Sequence, residues 1–437
     1  MKRSIKINVF ITIFAAFALL SCSKDSYTEI SHTKDERLIM SEYSEHRTYA
    51  EALVIAQDAI GMLENSVSKR SAKSRTVNTS DVEYILNISE TRSANSIDTL
   101  MYVFNYDDNA GFAVVSANRA TEELIAVAEY GNYTFGEETE NEGFNMFMDM
   151  AVDYIASSNG GASKALKDPI ELIEYKVVST KHVLTNYGPF VQVQWGQRSP
   201  YNNCCFDANG NQAVAGCVAT AIAQVLSYYK HPSSIQITYD ATSYTQSLNW
   251  NEIITHVNSA SCNTCSTHSN QIAKLFRQIG EIVEMNYGVT GSGAFAYKIS
   301  RVFDEFGYNH GYYQNYNTSI ATNSLSQNQI ILMVGDNGEV GHAWVLDGYQ
   351  DVRIDNTEYT RPLGTINWIE GETHSSYASY NHLNWGWNGT CNGYYLTSVF
   401  DTQECIELDE GVSSGPSYDF GSNLKMYPYI SVNQQNQ

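Results

Sequence analysis

Cys217 directly follows Gly216 and opens the run CVATAIAQVLSYY, where Val218, Ile222, Val225, Leu226 and Tyr229 recur at helical spacing. A thiol at a helix start faces unpaired backbone N–H groups and the positive end of the helix dipole. Both favour the thiolate, which is the nucleophilic form. Taken alone, Cys217 reads equally as half of a disulfide or as a small core residue. A thiolate that attacks a carbonyl also needs a proton donor for the leaving group, and histidine is the usual partner. His342 fits that need. It follows Gly341 in GEVGHAWVLDGYQD, where Ala343, Val345 and Asp347 alternate with Trp344, Leu346 and Gly348 as on a strand. A third group must orient the imidazole. HLNWGWNGTCNGYYLT offers Asn384, whose amide oxygen can accept the ring N–H, and Trp385, whose indole can shield that bond from water. Gln212, five residues before Cys217, offers a side-chain amide for an oxyanion hole, with Asn211 as a rival donor.

The elements that must hold these residues fall into two α+β units. In the first, Thr48–Ser66 carries Ala52, Leu53, Ala56, Ala59, Ile60 and Leu63 on one helical face. KRSAKSRTVNTSD, 69–81, breaks the pattern as a basic, flexible loop. YILNIS, TLMYVFNY, GFAVVSAN and LIAVAEYGNYTF read as strands, and FNMFMDMAVDYIASS, 144–158, reads as a helix ended by Asn159-Gly160-Gly161. Residues 163–182 have no regular period and scattered lysines, so they read as a linker, with Lys164, Lys167, Lys176 and Lys181 as exposed cleavage candidates. The second unit starts near Val183. It holds the Cys217 helix, an amphipathic helix over 269–288, a Gly/Ser loop, a helix over about 295–306, and then a series of Tyr- and Trp-rich strands that includes the His342 segment.

The chain has 437 residues, which is long enough for two or three domains. Its net charge of −22 leaves no room for a large basic face, so nucleic acid is excluded as a partner class. Residues 1–22 combine MKRSIK, the apolar run Ile7–Leu20, and Ser21-Cys22, which is the pattern of an export signal. LLSC resembles a bacterial lipobox, with Cys22 as the lipidated residue. The expected location is therefore a lipid anchor at the outer membrane, facing the periplasm or the cell surface, with release after processing. Seven other cysteines remain, and in an oxidising compartment six can pair and one stay free. Cys262-Asn263-Thr264-Cys265 with His268 lacks a second cysteine pair at zinc spacing, so no metal or other cofactor is expected.

The order Cys217, His342, Asn384, with nucleophile and base 125 positions apart, is the order of papain-like thiol peptidases. GCVATAIAQVLSYYKHP, GHAWVLDGY and HLNWGWNGTCNGYY resemble the streptopain-type cysteine peptidases, a branch of the papain fold. SPYNN, EMNYGVTGSG and FGYNH add to the likeness over nearly all of 183–430, and GFAVVSANRATEELIAVAEYG resembles that family's inhibitory propeptide. The resemblance implies a zymogen with this organisation: signal 1–22, tether 23–46, inhibitory prodomain 47–162, activation linker 163–182, and a papain-like two-subdomain catalytic domain 183–437. It implies Cys217 as nucleophile, His342 as general acid/base, and either Asn384 or Trp385 in the third position. Gly291, Ser292, Val340 and Gly341 are expected at the substrate cleft. The expected partners of this presumed monomer are protein or peptide substrates and its own prodomain. Two alternatives share these residues: an acyltransferase of the transglutaminase type, and a catalytically silent surface binding protein.

Overall fold

The computed structural model describes residues 31–33, 46–64, 75–86, 99–134, 139–158, 173–239, 242–257, 267–336, 341–362, 365–400 and 423–433. Val340 and Cys22, the linker lysines Lys164 and Lys167, and both cysteines of the 262–265 segment lie outside them.

After a short strand β1 (Ser31–Thr33), the N-terminal unit packs two helices on a four-stranded antiparallel meander. Helix α1 (Tyr49–Glu64) begins with a reciprocal cap, in which Glu51 accepts the Thr48 backbone N–H at 2.7 Å and Thr48 Oγ1 accepts the Glu51 N–H at 3.4 Å. Strands β2 (Val77–Leu86), β3 (Thr99–Tyr106), β4 (Phe112–Ser116) and β5 (Leu124–Ala128) follow; all of β4 and β5 is buried, which suits their uninterrupted apolar sequence. Helix α2 (Glu142–Ser157) is capped by Asn141, whose Oδ1 accepts the Phe144 N–H at 3.1 Å.

The C-terminal unit starts with β6 (Ile173–Tyr187) and then the Cys217 helix, α3 (Cys217–Tyr229). A hairpin, β7 (Ser234–Tyr239) and β8 (Thr242–Ser247), leads to α4 (Trp250–His256), α5 (Thr267–Ile282) and α6 (Ile299–Glu305). The chain continues through β9 (Tyr308–Asn309), β10 (Gln314–Asn315), α7 (Thr318–Ser326) and β11 (Ile331–Asp336). Two long strands, β12 (Gly341–Pro362) and β13 (Ile369–Asn384), precede β14 (Gly393–Leu396), β15 (Lys425–Tyr427) and β16 (Ser431–Val432).

The large sheet runs β10-β15-β11-β12-β13-β14-β5-β4-β3-β2, so the meander of the N-terminal unit continues the sheet of the C-terminal one. The join is three residue pairs long: Gly393 with Ala128, Tyr394 with Val127, and Tyr395 with Ala126. Period-2 alternation sends the central strands into two cores. Leu332, Val334, Ala343 and Val345 pack with α3 and α5, whereas Ile331, Met333, Trp344 and Leu346 share a core with the N-terminal unit.

The expected linker differs from what forms. From Ile173 onward it is strand β6, paired antiparallel with β12 from Tyr349–Tyr187 to Pro362–Ile173. The sequence IEYKVVSTKHVLTNY hides this because neither of its faces is fully buried, and no apolar alternation develops. Lys176 therefore lies within a paired strand opposite Tyr359. Lys181 is not an open surface lysine: burial lowers its pKa to about 8 against the opposing charges of Glu123 and Asp58. Among the described residues Cys204, Cys205, Cys217 and Cys391 are free thiols, so the expected pairing of six of the seven cysteines does not form.

Candidate active site

Gly216 turns the chain into α3 with φ of 90°, a conformation that favours glycine. A Cβ there would lie 3.0 Å from Met285 Cε and from the Ser292 carbonyl oxygen, so the loop over 288–293 closes on the residue before Cys217. That loop is pinned by Ser292 Oγ donating to the Val214 carbonyl at 2.7 Å and by the Val214 N–H donating to Gly288 at 3.1 Å. Of the expected cleft residues, Ser292 thus reaches the α3 start, Gly291 faces open space, and Gly341 pairs with Asp336 at the head of β12.

Cys217 is the first residue of α3, and its thiol faces the backbone N–H groups of Ala343, Val218 and Cys217 itself. These donors favour the thiolate, as does the helix end. Burial outweighs them, the Glu142 charge adds to it, and the thiol is pushed up to about 11. The activation expected from the helix terminus alone is therefore overridden in this state by desolvation.

His342 lies one position along β12 from Ala343, whose N–H meets the thiol. Its own side chain keeps step with Trp344 and Leu346, on the sheet face shared with the N-terminal unit. The ring stacks between Trp344, with centroids 6.1 Å apart, and Trp387, at 6.3 Å. Nε2 donates to the Trp385 carbonyl at 2.9 Å, and Nδ1 has no hydrogen-bond partner. Neither ring nitrogen therefore bonds Cys217. Burial lowers the imidazole to about 4, with the Trp385 bond opposing. At any pH between these two values the thiol keeps its proton and the imidazole is neutral.

Asn384 makes no hydrogen bond to the imidazole. Its Nδ2 donates to the Val193 carbonyl at 2.8 Å and its Oδ1 accepts the Gly386 N–H at 3.3 Å. The Trp385 carbonyl stands against the ring instead; the N–H of the same peptide, on Gly386, donates to Asn384 Oδ1, and the preceding peptide is fixed by Asn392 Oδ1 accepting the Trp385 N–H at 3.0 Å. Gln212 Nε2 donates to the Asn202 carbonyl at 2.8 Å, and Asn211 is bound to Asp207 at 3.0 Å, so neither amide is directed at the thiol.

The residue that covers the site was not legible from any motif. Gly143, in the first turn of α2, lies so close that a Cβ on it would be 2.6 Å from His342 Cδ2 and 2.7 Å from the Trp385 ring. Glu142 beside it is exposed, and desolvation nevertheless raises its carboxyl pKa. Asn141 in NEGF does mark a helix start, but nothing local in that segment says that the first turn rests on a histidine 199 positions away.

Comparison with known proteins connects these observations. Residues 195–395 match the Peptidase C10 family, and residues 44–155 match the family described as Spi protease inhibitor. The chain is a streptopain-like cysteine peptidase with an N-terminal prodomain. Streptopain of Streptococcus pyogenes is 24% identical over 336 residues, covering 68% of this chain and 73% of streptopain. The thiol protease/hemagglutinin PrtT of Porphyromonas gingivalis is 24% identical over 345 residues, which are 71% of this chain but only 35% of that protein. Among solved structures, prointerpain A of Prevotella intermedia aligns at a TM-score of 0.49 with 21% identity, covering 82% of this chain and 98% of that one. In this peptidase a cysteine-bearing helix meets a histidine-bearing antiparallel sheet, and the prodomain shares the core on the histidine side.

Proposed function

We propose that this chain is the latent precursor of a cysteine endopeptidase and that helix α2 of the prodomain holds it inactive by capping His342. The observation that carries this is the contact of Gly143 with the His342 and Trp385 rings, together with the ring hydrogen bond to the Trp385 carbonyl. In this reading, loss of the prodomain rehydrates the site, restores imidazole basicity and frees the ring to take the Cys217 proton. The thiolate then attacks the scissile carbonyl. The oxyanion is held by the Cys217 backbone N–H and, once it leaves Asn202, by the Gln212 amide. His342 protonates the leaving amine, and water then cleaves the acyl-enzyme, regenerating the thiol. Trp385 serves through its carbonyl and its indole to seat the imidazole, and Asn384 holds the strand that carries it. Gly291, Ser292 and Gly341 border the substrate, and Val340 belongs to the same proposed rim.

Export and anchoring through Cys22 rest on the N-terminal sequence alone. Among the described residues, no helix is long and apolar enough to cross a membrane. The activation cut is proposed within 163–182, and the domain boundaries are proposed as read from the sequence.

Hydrolysis is separated from acyl transfer by a quenched peptide substrate, assayed with the processed chain in the presence and absence of an added primary amine. Cleavage that needs Cys217 and is unaffected by the amine is expected. Turnover only with the amine, with the amine incorporated, would give the acyltransferase reading instead.

A further inference from the structure

A second group of buried charges lies behind the catalytic residues and has no part in acyl transfer. His382, on β13, places Nδ1 2.7 Å from Asp347 Oδ1 on β12. The other Asp347 oxygen accepts the Val191 N–H at 2.7 Å. On its far side, His382 Nε2 faces Glu129 Oε1 at 3.4 Å, and the Glu129 side chain is 9% exposed. Glu129 belongs to the prodomain, next after β5, and its backbone N–H donates to the Asn392 carbonyl of the catalytic unit. It therefore stands at the three-pair join between β5 and β14. Among the described residues, neighbours of the His382–Asp347 pair include Gly348 of β12, the Tyr394 ring of β14, edge-on to His382 at 5.0 Å, and Tyr228 of α3, which senses the Asp347 charge.

Burial alone would strip His382 of its proton. The Asp347 charge and hydrogen bond, and then Glu129, outweigh that and raise it to about 9. The ring is thus an imidazolium between two carboxylates. Asp347 stays with it in the catalytic unit, and Glu129 comes only with the prodomain.

We propose that Glu129 is a charge latch: the prodomain clamps its strand join onto the buried His382–Asp347 pair, and it leaves only by surrendering that contact. The latch rests on the reading of the N-terminal unit as a prodomain. It adds a specific contact to the shared apolar core and the three-pair ladder, and shielding from water makes that charge pair stronger than one at the surface. Glu129, which arrives with docking, raises the His382 pKa. The stabilisation is therefore complete below the undocked pKa and is lost as pH rises through about 9.

The test uses the full-length Cys217→Ala precursor, which cannot process itself, with and without Glu129→Gln. Amide hydrogen exchange is read at the β5 and β14 ladder, Ala126–Ala128 and Gly393–Tyr395, after correction for intrinsic rates. At pH 7.5 the Gln chain is expected to exchange there at least about tenfold faster than its parent, with α3 and α5 unchanged. The difference should close towards pH 10, where the parent latch is discharged. Equal protection at pH 7.5, a difference that persists at pH 10, or loss of protection in α3 and α5 as well would each overturn the latch. None of these outcomes depends on peptidase activity, so failure of the catalytic reading would be seen separately.

Discussion

The thiol and the imidazole of this site are each discharged by burial, and the order of their pKa values decides whether catalysis can start. With Cys217 raised to about 11 and His342 lowered to about 4, proton transfer from sulfur to nitrogen is strongly uphill in the capped state. The imidazole gives the clearest pH prediction. Closure keeps His342 below its ordinary value, so the closed state binds fewer protons than the open one. The stability of closure is then complete above about pH 6.5 and is lost as pH falls towards 4. Between pH 7 and pH 5 the capped state should weaken by about 2 kcal/mol, if the uncovered ring titrates normally. Precursor processing, normalised at each pH to the peptide-cleaving rate of the processed enzyme, should accelerate over that interval. A normalised rate that is flat or falls on acidification contradicts the burial of His342 as the cause of latency.

Helix α2 acts through a single missing side chain. Gly143 lets the backbone of its first turn rest on His342 and Trp385, and alanine there has two opposed effects. It would favour the helix by at most about 1 kcal/mol. Its Cβ, at 2.6 Å from an imidazole packed between tryptophans, would cost about 1–3 kcal/mol of overpacking, because neither ring has room to yield. The clash wins, so Gly143→Ala should loosen the cap and shorten the processing half-time about fivefold or more, measured by the appearance of the mature band. An unchanged or longer half-time would mean that α2 does not bear on the histidine. The elements themselves were largely readable in advance. The α1, α2 and α3 helices emerge within about two residues of their expected spans, whereas α5, which starts as closely, ends at Ile282, six residues before its expected end at 288. Strand β6 was not readable, because its partner β12 lies about 170 positions away and neither face of the strand is fully buried.

At the scale of the whole molecule, the prodomain is a continuation of the catalytic sheet and a co-owner of one of its two cores. Local sequence could give the element starts at Cys217 and His342, the proposed nucleophile and base, because each lies beside a glycine. It could not show that the Trp385 carbonyl would stand where an Asn384 amide was expected. That exchange depends on Val193, which holds the Asn384 side-chain amide, on Asn384 Oδ1, which accepts the Gly386 N–H of the peptide carrying that carbonyl, and on Asn392, which holds the Trp385 N–H. Nor could it show that Glu142 and Gly143 border the site or that Glu129 reaches His382 behind it, since those contacts form only when the two units join. Processing of the intact precursor brings these parts together: the mass of the chain and its fragments over time, with Cys217 and with Cys217→Ala. The Cys217 chain should convert to a mature enzyme whose first residue lies within 163–182, and the alanine chain should stay at full length under the same conditions. Conversion of the alanine chain at the same rate and site would contradict the account at its centre.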